Sequence, residues 1–185
     1  MLRSPVLLRV LRRGATVALL AATPLASLAA EPVDLGQQVP ESQAIKEGLF
    51  PEDTCNELQQ AGFKCMGFQP AKRFSLPGAS FMIGSAELPE LLRQQLDRFA
   101  EVLRGKRGSA RVLRIEGHAD ARGTDEVNLA LSQKRAEAVK EYLIKNGADQ
   151  GMLQAVGRGS KDLKLANDPL AAENRRVEIG RQGAP

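Results

Sequence analysis

The chain of 185 residues is long enough for one ordinary domain with a small addition, and too short for two full hydrophobic cores. Apolar residues make up 43% and charged residues 26%, which is typical of a globular protein and excludes a disordered or fibrous chain. A net charge of +4 suggests nucleic-acid binding, but four of the 26 basic residues lie within residues 1–30, which contain no acidic residue. The rest of the chain has 22 basic and 22 acidic residues, and this balance argues against a nucleic-acid partner.

Residues 1–30 are predicted to be a cleaved signal peptide. Arginines precede the apolar run of residues 15–22, and small residues follow Pro24 as far as Ala30. This order of a charged region, a short apolar region and a small-residue cleavage site is that of a secretory signal, and the stretch is short for a membrane-spanning helix. We therefore expect the chain to be exported.

Residues 31–74 are predicted to form an N-terminal tether followed by a small helical segment. Residues 31–39 are polar and bounded by prolines, which favours the tether. A helix is expected from Pro51, because proline suits the first helical position, and Gly62 suits the position just past its end.

The same segment carries the two cysteines of the chain, Cys55 and Cys65. An even pair of cysteines in an exported protein predicts one disulfide. Two cysteines do not supply a metal-binding framework.

Residues 75–182 are predicted to form the main domain, an α/β (α+β) sandwich with a small mixed sheet and helices on one face. Alternating apolar residues predict the strands, and apolar residues at spacings of three and four predict the helices. The expected elements are a strand at 79–83, a helix from Pro89 to Gly105, a strand at 111–118, a helix at 125–146, a strand at 153–157 and a last strand at 175–181.

A carboxylate and a guanidinium are expected to meet where the second of these strands ends. Asp120 follows that strand, and Arg135 lies on the next helix, on the same face as Asn128. Such a pair can accept an ammonium group and hold a carboxylate, which makes a receptor for a zwitterion. The alternative is a plain salt bridge between Asp120 and Arg135 that fastens the strand to the helix.

The stretch IEGHADARGTDEVNLALSQKRAEAVKEYL closely resembles the OmpA-like C-terminal domain, as found in the peptidoglycan-associated lipoprotein and in flagellar motor stator proteins. The family pattern has an Asp in a Gly-x-x-Asp turn, an Asn eight residues later, a Leu-Ser pair, an Arg-Ala pair and Asn-Arg-Arg-Val before the last strand. The matching positions are Asp120, Asn128, Leu131-Ser132, Arg135-Ala136 and 174–177. One departure is Met82, which stands where many members have an Asp. The resemblance covers about residues 79–181.

This resemblance implies a βαβαβ-type OmpA-like fold and non-catalytic binding of peptidoglycan through the diaminopimelate of its stem peptide. Asp120 would hold the ammonium group and Arg135 the carboxylate. Residues implied to line the pocket are Asn128, Leu131, Arg175 and backbone groups near Ala119. The implied location is the periplasm, with the outer membrane as a further expectation, and neither a metal nor a cofactor is expected.

Three other interpretations can be compared with this one. Glu116, His118 and Asp120 alternate onto one strand face and could hold a metal ion, although zinc prefers more nitrogen or sulfur ligands. The basic residues between 104 and 114 lack the interleaved aromatic residues that stack on bases, so no nucleic acid is expected. The third is a protein–protein adaptor, in which residues 31–74 contact an outer-membrane or envelope protein.

Overall fold

The computed structural model describes residues 31–65, 67, 70–77 and 81–182. The predicted signal peptide lies outside the described residues. The strands are β1 (Val33–Asp34), β2 (Phe74–Leu76), β3 (Leu113–Gly117), β4 (Leu153–Gly157) and β5 (Val177–Arg181). The helices are α1 (Ser42–Leu49), α2 (Pro51–Gln60), α3 (Glu90–Arg104) and α4 (Asp125–Lys145), with two short 3₁₀ turns at Gln150–Met152 and Ala172–Asn174.

The five strands form one mixed sheet in the order β1-β2-β5-β3-β4. β1 runs parallel to β2 and β3 runs parallel to β4, whereas β5 is antiparallel to both of its neighbours. The α4 helix packs on β3 and β4, and α3 packs between α4 and α1. This arrangement confirms the predicted α/β fold class with a small mixed sheet.

The sheet has one apolar face, which packs against the helices, and one polar face. Cross-strand partners such as Ile115 and Ile179 are fully buried in the core with Phe99 of α3. On the other face the cross-strand partners Glu116 and Glu178 lie opposite each other. Because side chains alternate between the two faces along each strand, the apolar core residues and the charged residues lie on opposite faces of the sheet.

Two glycines allow α4 to lie directly on the sheet. A Cβ atom on Gly117, at the end of β3, would stand 2.1 Å from the carbonyl oxygen of Ser132. One on Gly157, at the end of β4, would stand 2.7 Å from the backbone nitrogen of Gln133. The contact is thus backbone against backbone, and it fixes α4 relative to the turn after β3.

The structure corrects the expectations for the N-terminal part of the chain. Residues 31–39 are not a tether, because Val33 and Asp34 form β1 and Leu35 is buried in the core. The α1 helix, which was not predicted from the sequence, buries Ile45 and Leu49 in the same core. The expected boundary between residues 74 and 75 falls inside β2, and the division into functional units stays a prediction.

The strand expected at 79–83 is wrong in its described part, since residues 81–83 lie in a loop. The strand that pairs with β5 is β2, with Phe74 opposite Ile179. The remaining elements of the main domain agree with the prediction to within a few residues at their ends, and the short helix begins at Pro51 as expected.

The disulfide between Cys55 and Cys65 is present, with the Cα atoms 5.4 Å apart. It joins the middle of α2 to the chain just beyond that helix. Within the described residues, every helix is too short or too polar to span a membrane.

Candidate functional site

The turn that follows β3 positions Asp120 at the edge of the sheet. The N–H of Ala119 donates to the carbonyl oxygen of Gly159 at 2.9 Å, so the turn is tied to the loop after β4. Oδ1 of Asp120 accepts from the backbone N–H of Arg122 at 3.3 Å. These contacts fix the direction of a carboxylate that is almost fully buried.

Two arginines share the other oxygen of this carboxylate. Oδ2 of Asp120 accepts from Nη1 of Arg122 at 2.5 Å and from Nη1 of Arg175 at 3.0 Å. Arg175 also donates from Nε to the carbonyl oxygen of Phe81 at 2.8 Å. Arg175 therefore ties the segment just before β5 both to the turn after β3 and to the loop before α3.

The guanidinium of Arg135 enters the same region from α4 and is fully buried. Its Nε, Nη1 and Nη2 donate to the carbonyl oxygens of Ser85, His118 and Met82 at 3.0, 3.0 and 3.2 Å. Its charged end lies 4.9 Å from the centre of the Phe81 ring. Three carbonyl groups and one aromatic face thus surround the cation.

Asp120 and Arg135 are electrostatic neighbours without being bonded to each other. No ion pair of 4.0 Å or less joins them among the described residues, so the plain salt bridge is not what the structure shows. Burial lowers the pKa of Arg135 to about 10, and the charge of Arg175 contributes to the lowering, whereas Asp120 opposes it. Arg135 is therefore protonated at neutral pH.

Asn128 and Leu131 lie on the α4 face that approaches this region. The Asn128 side chain is buried and donates from Nδ2 to the carbonyl oxygen of Gly123 and to Oγ of Ser160. In this structure it holds the turn before α4, and Leu131 is half-buried. The structure thus brings Asp120, Arg135 and Arg175 together. The side-chain amide of Asn128 is hydrogen-bonded to the surrounding loops.

The possible metal ligands lie on the polar face of the sheet. Ligand atoms of Glu116, His118 and Glu178 come within 4.8 Å of one another, and Asp120 is not part of this group. Arg73 contacts both carboxylates, at 3.2 Å from Glu116 and 3.4 Å from Glu178. Arg114 lies 3.6 Å from Glu116, and Arg176 lies 2.8 Å from Glu178. Positive charge therefore already balances the two carboxylates, and the donor set does not favour a cation.

His118 is buried beside this network, and neither ring nitrogen makes a hydrogen bond of normal geometry. Nε2 lies 4.0 Å from Oε1 of Glu178. Burial, followed by the charges of Arg176, Arg158 and Arg73, lowers the pKa of His118 to about 3. The imidazole is therefore neutral at physiological pH.

Arg122 and the residues from Ile83 to Ser85 were not predicted as part of the site, and Met82 was noted only as a departure from the family pattern. The loop of residues 81–85 contributes two carbonyl oxygens and one ring to Arg135, contacts that no spacing in the sequence indicates. Arg122 lies two residues after Asp120, and this spacing suits a side chain that folds back over a turn. The two-residue spacing could therefore have identified Arg122 from the sequence.

The family model described as the OmpA family matches residues 80–176, which is more than half of the chain. The matched residues include the turn after β3, the face of α4 that carries Arg135, and Arg175, which lies two residues before β5. The chain belongs to the OmpA family. Membership confirms the resemblance stated on the motifs and agrees with the observed fold.

Three similar proteins show how far the similarity extends. The peptidoglycan-associated lipoprotein of Pseudomonas aeruginosa is 39% identical over 54% of this chain and 58% of its own length. The chain thus spans little more than half the length of that relative. The crystal structure of the peptidoglycan-associated lipoprotein of Burkholderia pseudomallei has a TM-score of 0.51 and is 31% identical, covering 58% of this chain and 94% of that one. The periplasmic domain of MotB from Helicobacter pylori has a TM-score of 0.53 at 22% identity over 63% of this chain and 78% of that one, and shows the shared fold.

Proposed function

We propose that this protein binds peptidoglycan non-covalently, through the diaminopimelate residue of the stem peptide. Asp120 accepts the ammonium group and Arg135 holds the carboxylate. The other residues assigned to the pocket are Asn128, Leu131, Arg175 and the backbone near Ala119. Membership of the OmpA family and similarity to proteins named peptidoglycan-associated lipoproteins support the proposal.

The observation that carries the proposal is the charge arrangement after β3. One carboxylate, Asp120, is surrounded by the guanidinium groups of Arg122, Arg135 and Arg175. The excess of positive charge favours a ligand with more carboxylate than ammonium groups, and a stem peptide that contains diaminopimelate has this composition. A simple cation suits the site less well.

Access to Arg135 requires a movement of the loop before α3. The guanidinium has five N–H donors, of which three donate to carbonyl groups in this structure. The loop that supplies two of those carbonyls carries the exposed side chains of Met82 and Ile83. We propose that this loop moves when the ligand binds, so that a carboxylate replaces one or both carbonyl acceptors.

We also propose a periplasmic location and a non-catalytic role that links the cell wall to an envelope component. The second candidate function is a protein–protein adaptor of the cell envelope. One observation favours it: α2 has no buried residue, and Phe63, just beyond α2, is 65% exposed. A cavity of about 480 Å³ beside α2 is lined in part by Leu58 and the disulfide.

Co-sedimentation with purified sacculi that contain diaminopimelate tests the proposal. Asp120→Asn removes the negative charge while it keeps the size of the side chain. We expect it to weaken binding tenfold or more, because a lost hydrogen bond between charged groups costs about 1.5–3 kcal/mol. Asp125→Asn, at the exposed first turn of α4, is the matched control and should bind like the wild type.

Sacculi with lysine in place of diaminopimelate provide the second comparison. Lysine keeps the ammonium group and lacks the second carboxylate, so the wild type should sediment with them poorly. Equal sedimentation of wild type and folded Asp120→Asn with both kinds of sacculi would contradict the site assignment. For the adaptor role, Phe63→Ser should reduce recovery of an envelope partner while wall binding persists.

A further inference from the structure

Arg122 donates to the same carboxylate oxygen of Asp120 that the ligand's ammonium group would need as an acceptor. Its Nη1 donates to Oδ2 of Asp120 at 2.5 Å and to the carbonyl oxygen of Leu170 at 3.2 Å. The Arg122 side chain is 40% exposed. An exposed arginine therefore covers the carboxylate of the proposed site.

The second arginine on Oδ2 is held more firmly. Arg175 is only 12% exposed on its side chain, and its Nε also donates to the carbonyl oxygen of Phe81. Moving Arg175 away would break its hydrogen bond to the Phe81 carbonyl and leave a buried guanidinium unpaired. Arg122, in contrast, can rotate into the solvent, where water hydrates its guanidinium. Of the two, Arg122 is the side chain that can leave.

The backbone around Arg122 does not depend on its side chain. The N–H of Ala121 donates to the carbonyl oxygen of Pro169 at 3.0 Å, and this bond joins the turn after β3 to the loop that carries Leu170. Oδ1 of Asp120 also keeps its contact with the backbone N–H of Arg122. Displacement of the guanidinium therefore leaves the two loops connected.

We propose that Arg122 competes with the ligand's ammonium group for Asp120, so that an ammonium group displaces the Arg122 guanidinium when it binds. The inference rests on the proposed function of Asp120. An ammonium group brings its own charge and donors to Oδ2 and so compensates for the departure of Arg122. A ligand with carboxylates alone offers no such replacement and leaves Arg122 in place.

NMR titration with meso-diaminopimelate tests the competition directly. Arg122→Ala should bind about two- to fivefold more tightly than the wild type, which is the range for loss of one partly exposed ion pair. The gain should persist in about 1 M salt, where the Debye length is about 3 Å, because a contact rather than a long-range field is removed. In the wild type, the Nε–H signal of Arg122 should shift as the ligand saturates the site.

Two controls separate this role from a general effect of removing an arginine. Arg93 is matched to Arg122, because its side chain is 41% exposed and donates to Glu90 and to the carbonyl oxygen of Leu88. Arg93→Ala should bind like the wild type. Pimelate, which lacks both ammonium groups, should bind no more tightly to Arg122→Ala than to the wild type, because it has no group that replaces Arg122 at Asp120.

The outcomes also separate this inference from the proposed function. If the wild type binds diaminopimelate, Asp120→Asn does not, and Arg122→Ala shows no gain, then the competition is refuted and the site assignment stands. Weaker binding by Arg122→Ala would show that Arg122 contacts the ligand, and it would overturn the competition as well. If neither the wild type nor Arg122→Ala binds, the proposed function fails together with this inference.

Discussion

Arg135 shows how a buried charge can be kept without a bonded carboxylate. Its guanidinium donates to three backbone carbonyls that come from two separate loops. A buried polar group costs free energy unless it is bonded, so each carbonyl that accepts from Arg135 also depends on it. The side chain thus belongs both to the fold and to the proposed site, and Asp120 is the better residue for a test of binding.

His118 provides a prediction for pH dependence at the same scale. Well above pH 6.5 its side chain is neutral in both the folded and the unfolded chain. As the pH falls from 6.5 towards 3, the unfolded chain takes up a proton that the folded chain does not. The free energy of unfolding should then fall by about 1.4 kcal/mol per pH unit from this residue.

Urea denaturation of the wild type and His118→Gln between about pH 7 and about pH 4 measures this contribution. The variant should lose stability less steeply with falling pH. Parallel curves for the two proteins would show that His118 is protonated as easily in the folded state as in the unfolded state.

Part of the site could be predicted from the sequence, because its residues lie close together in the chain. Asp120 ends a strand and Arg135 lies on the helix that follows, so the motif alone brings them near each other. The contacts of Arg135 with Met82 and Ser85 span about fifty residues, and no periodicity reports them. Backbone carbonyls are present at every residue, so the sequence contains no particular acidic side chain that would identify the partners of Arg135.

At the scale of elements, the position of α4 on the sheet links the two ends of the proposed site. Asp120 follows β3 and Arg135 projects from α4, so their separation depends on the contact at Gly117. We expect Gly117→Ala to destabilise the fold by about 1–3 kcal/mol or more, since its Cβ would meet backbone rather than a movable side chain. Binding of sacculi should weaken with it.

Gly151→Ala is the control for that substitution. A Cβ atom at Gly151 would come no closer than 3.4 Å to its nearest neighbour, Oδ1 of Asp149. Thermal unfolding should place Gly151→Ala near the wild type and Gly117→Ala well below it. Equal midpoints would show that α4 can shift away from β3 without cost.

The disulfide is expected to stabilise α2 locally. That helix buries none of its residues, and its first turn is held by ion pairs of Glu52 with Arg181 and of Asp53 with Lys106. Reduction should raise hydrogen exchange in the last turns of α2 and leave the amides of β3 protected, with a local loss of at most about 2–3 kcal/mol. Loss of protection in β3 in parallel with α2 would contradict this.

The short strands explain where sequence reasoning failed on elements. β1 has two residues and β2 has three, too few for the alternation that identifies a strand. Both are defined by pairing with residues distant in the chain, as Phe74 is with Ile179. The long α4 and the five-residue β4, whose patterns are complete within themselves, were predicted almost to the residue.

On the scale of the whole molecule, residues 31–74 complete the hydrophobic core. Ile45, Leu49, Phe50 and Phe74 are buried in the same cluster as Phe99 of α3. Composition and motifs could not show this, because the family pattern begins after these residues. The N-terminal part is therefore structural, whatever partner it contacts.

Deletion of residues 31–74 should consequently unfold the protein rather than isolate a binding domain. Loss of even one buried Ile or Leu side chain costs about 2–5 kcal/mol, and typical domains have about 5–15 kcal/mol of stability. Circular dichroism should show no cooperative thermal transition for the deleted chain. A cooperative transition with retained wall binding would show that residues 75–182 fold alone.

The central claim, that the stem peptide binds at Asp120 and Arg135, is tested most directly by NMR shift mapping with a soluble stem tripeptide that ends in diaminopimelate. Another cavity, of about 570 Å³, lies on the polar face of the sheet beside Arg73 and Glu178. We predict that the shifts concentrate at Asp120, the Arg135 Nε–H and Arg175. Shifts confined to the polar-face cavity, or no shifts at saturating peptide, would contradict the claim.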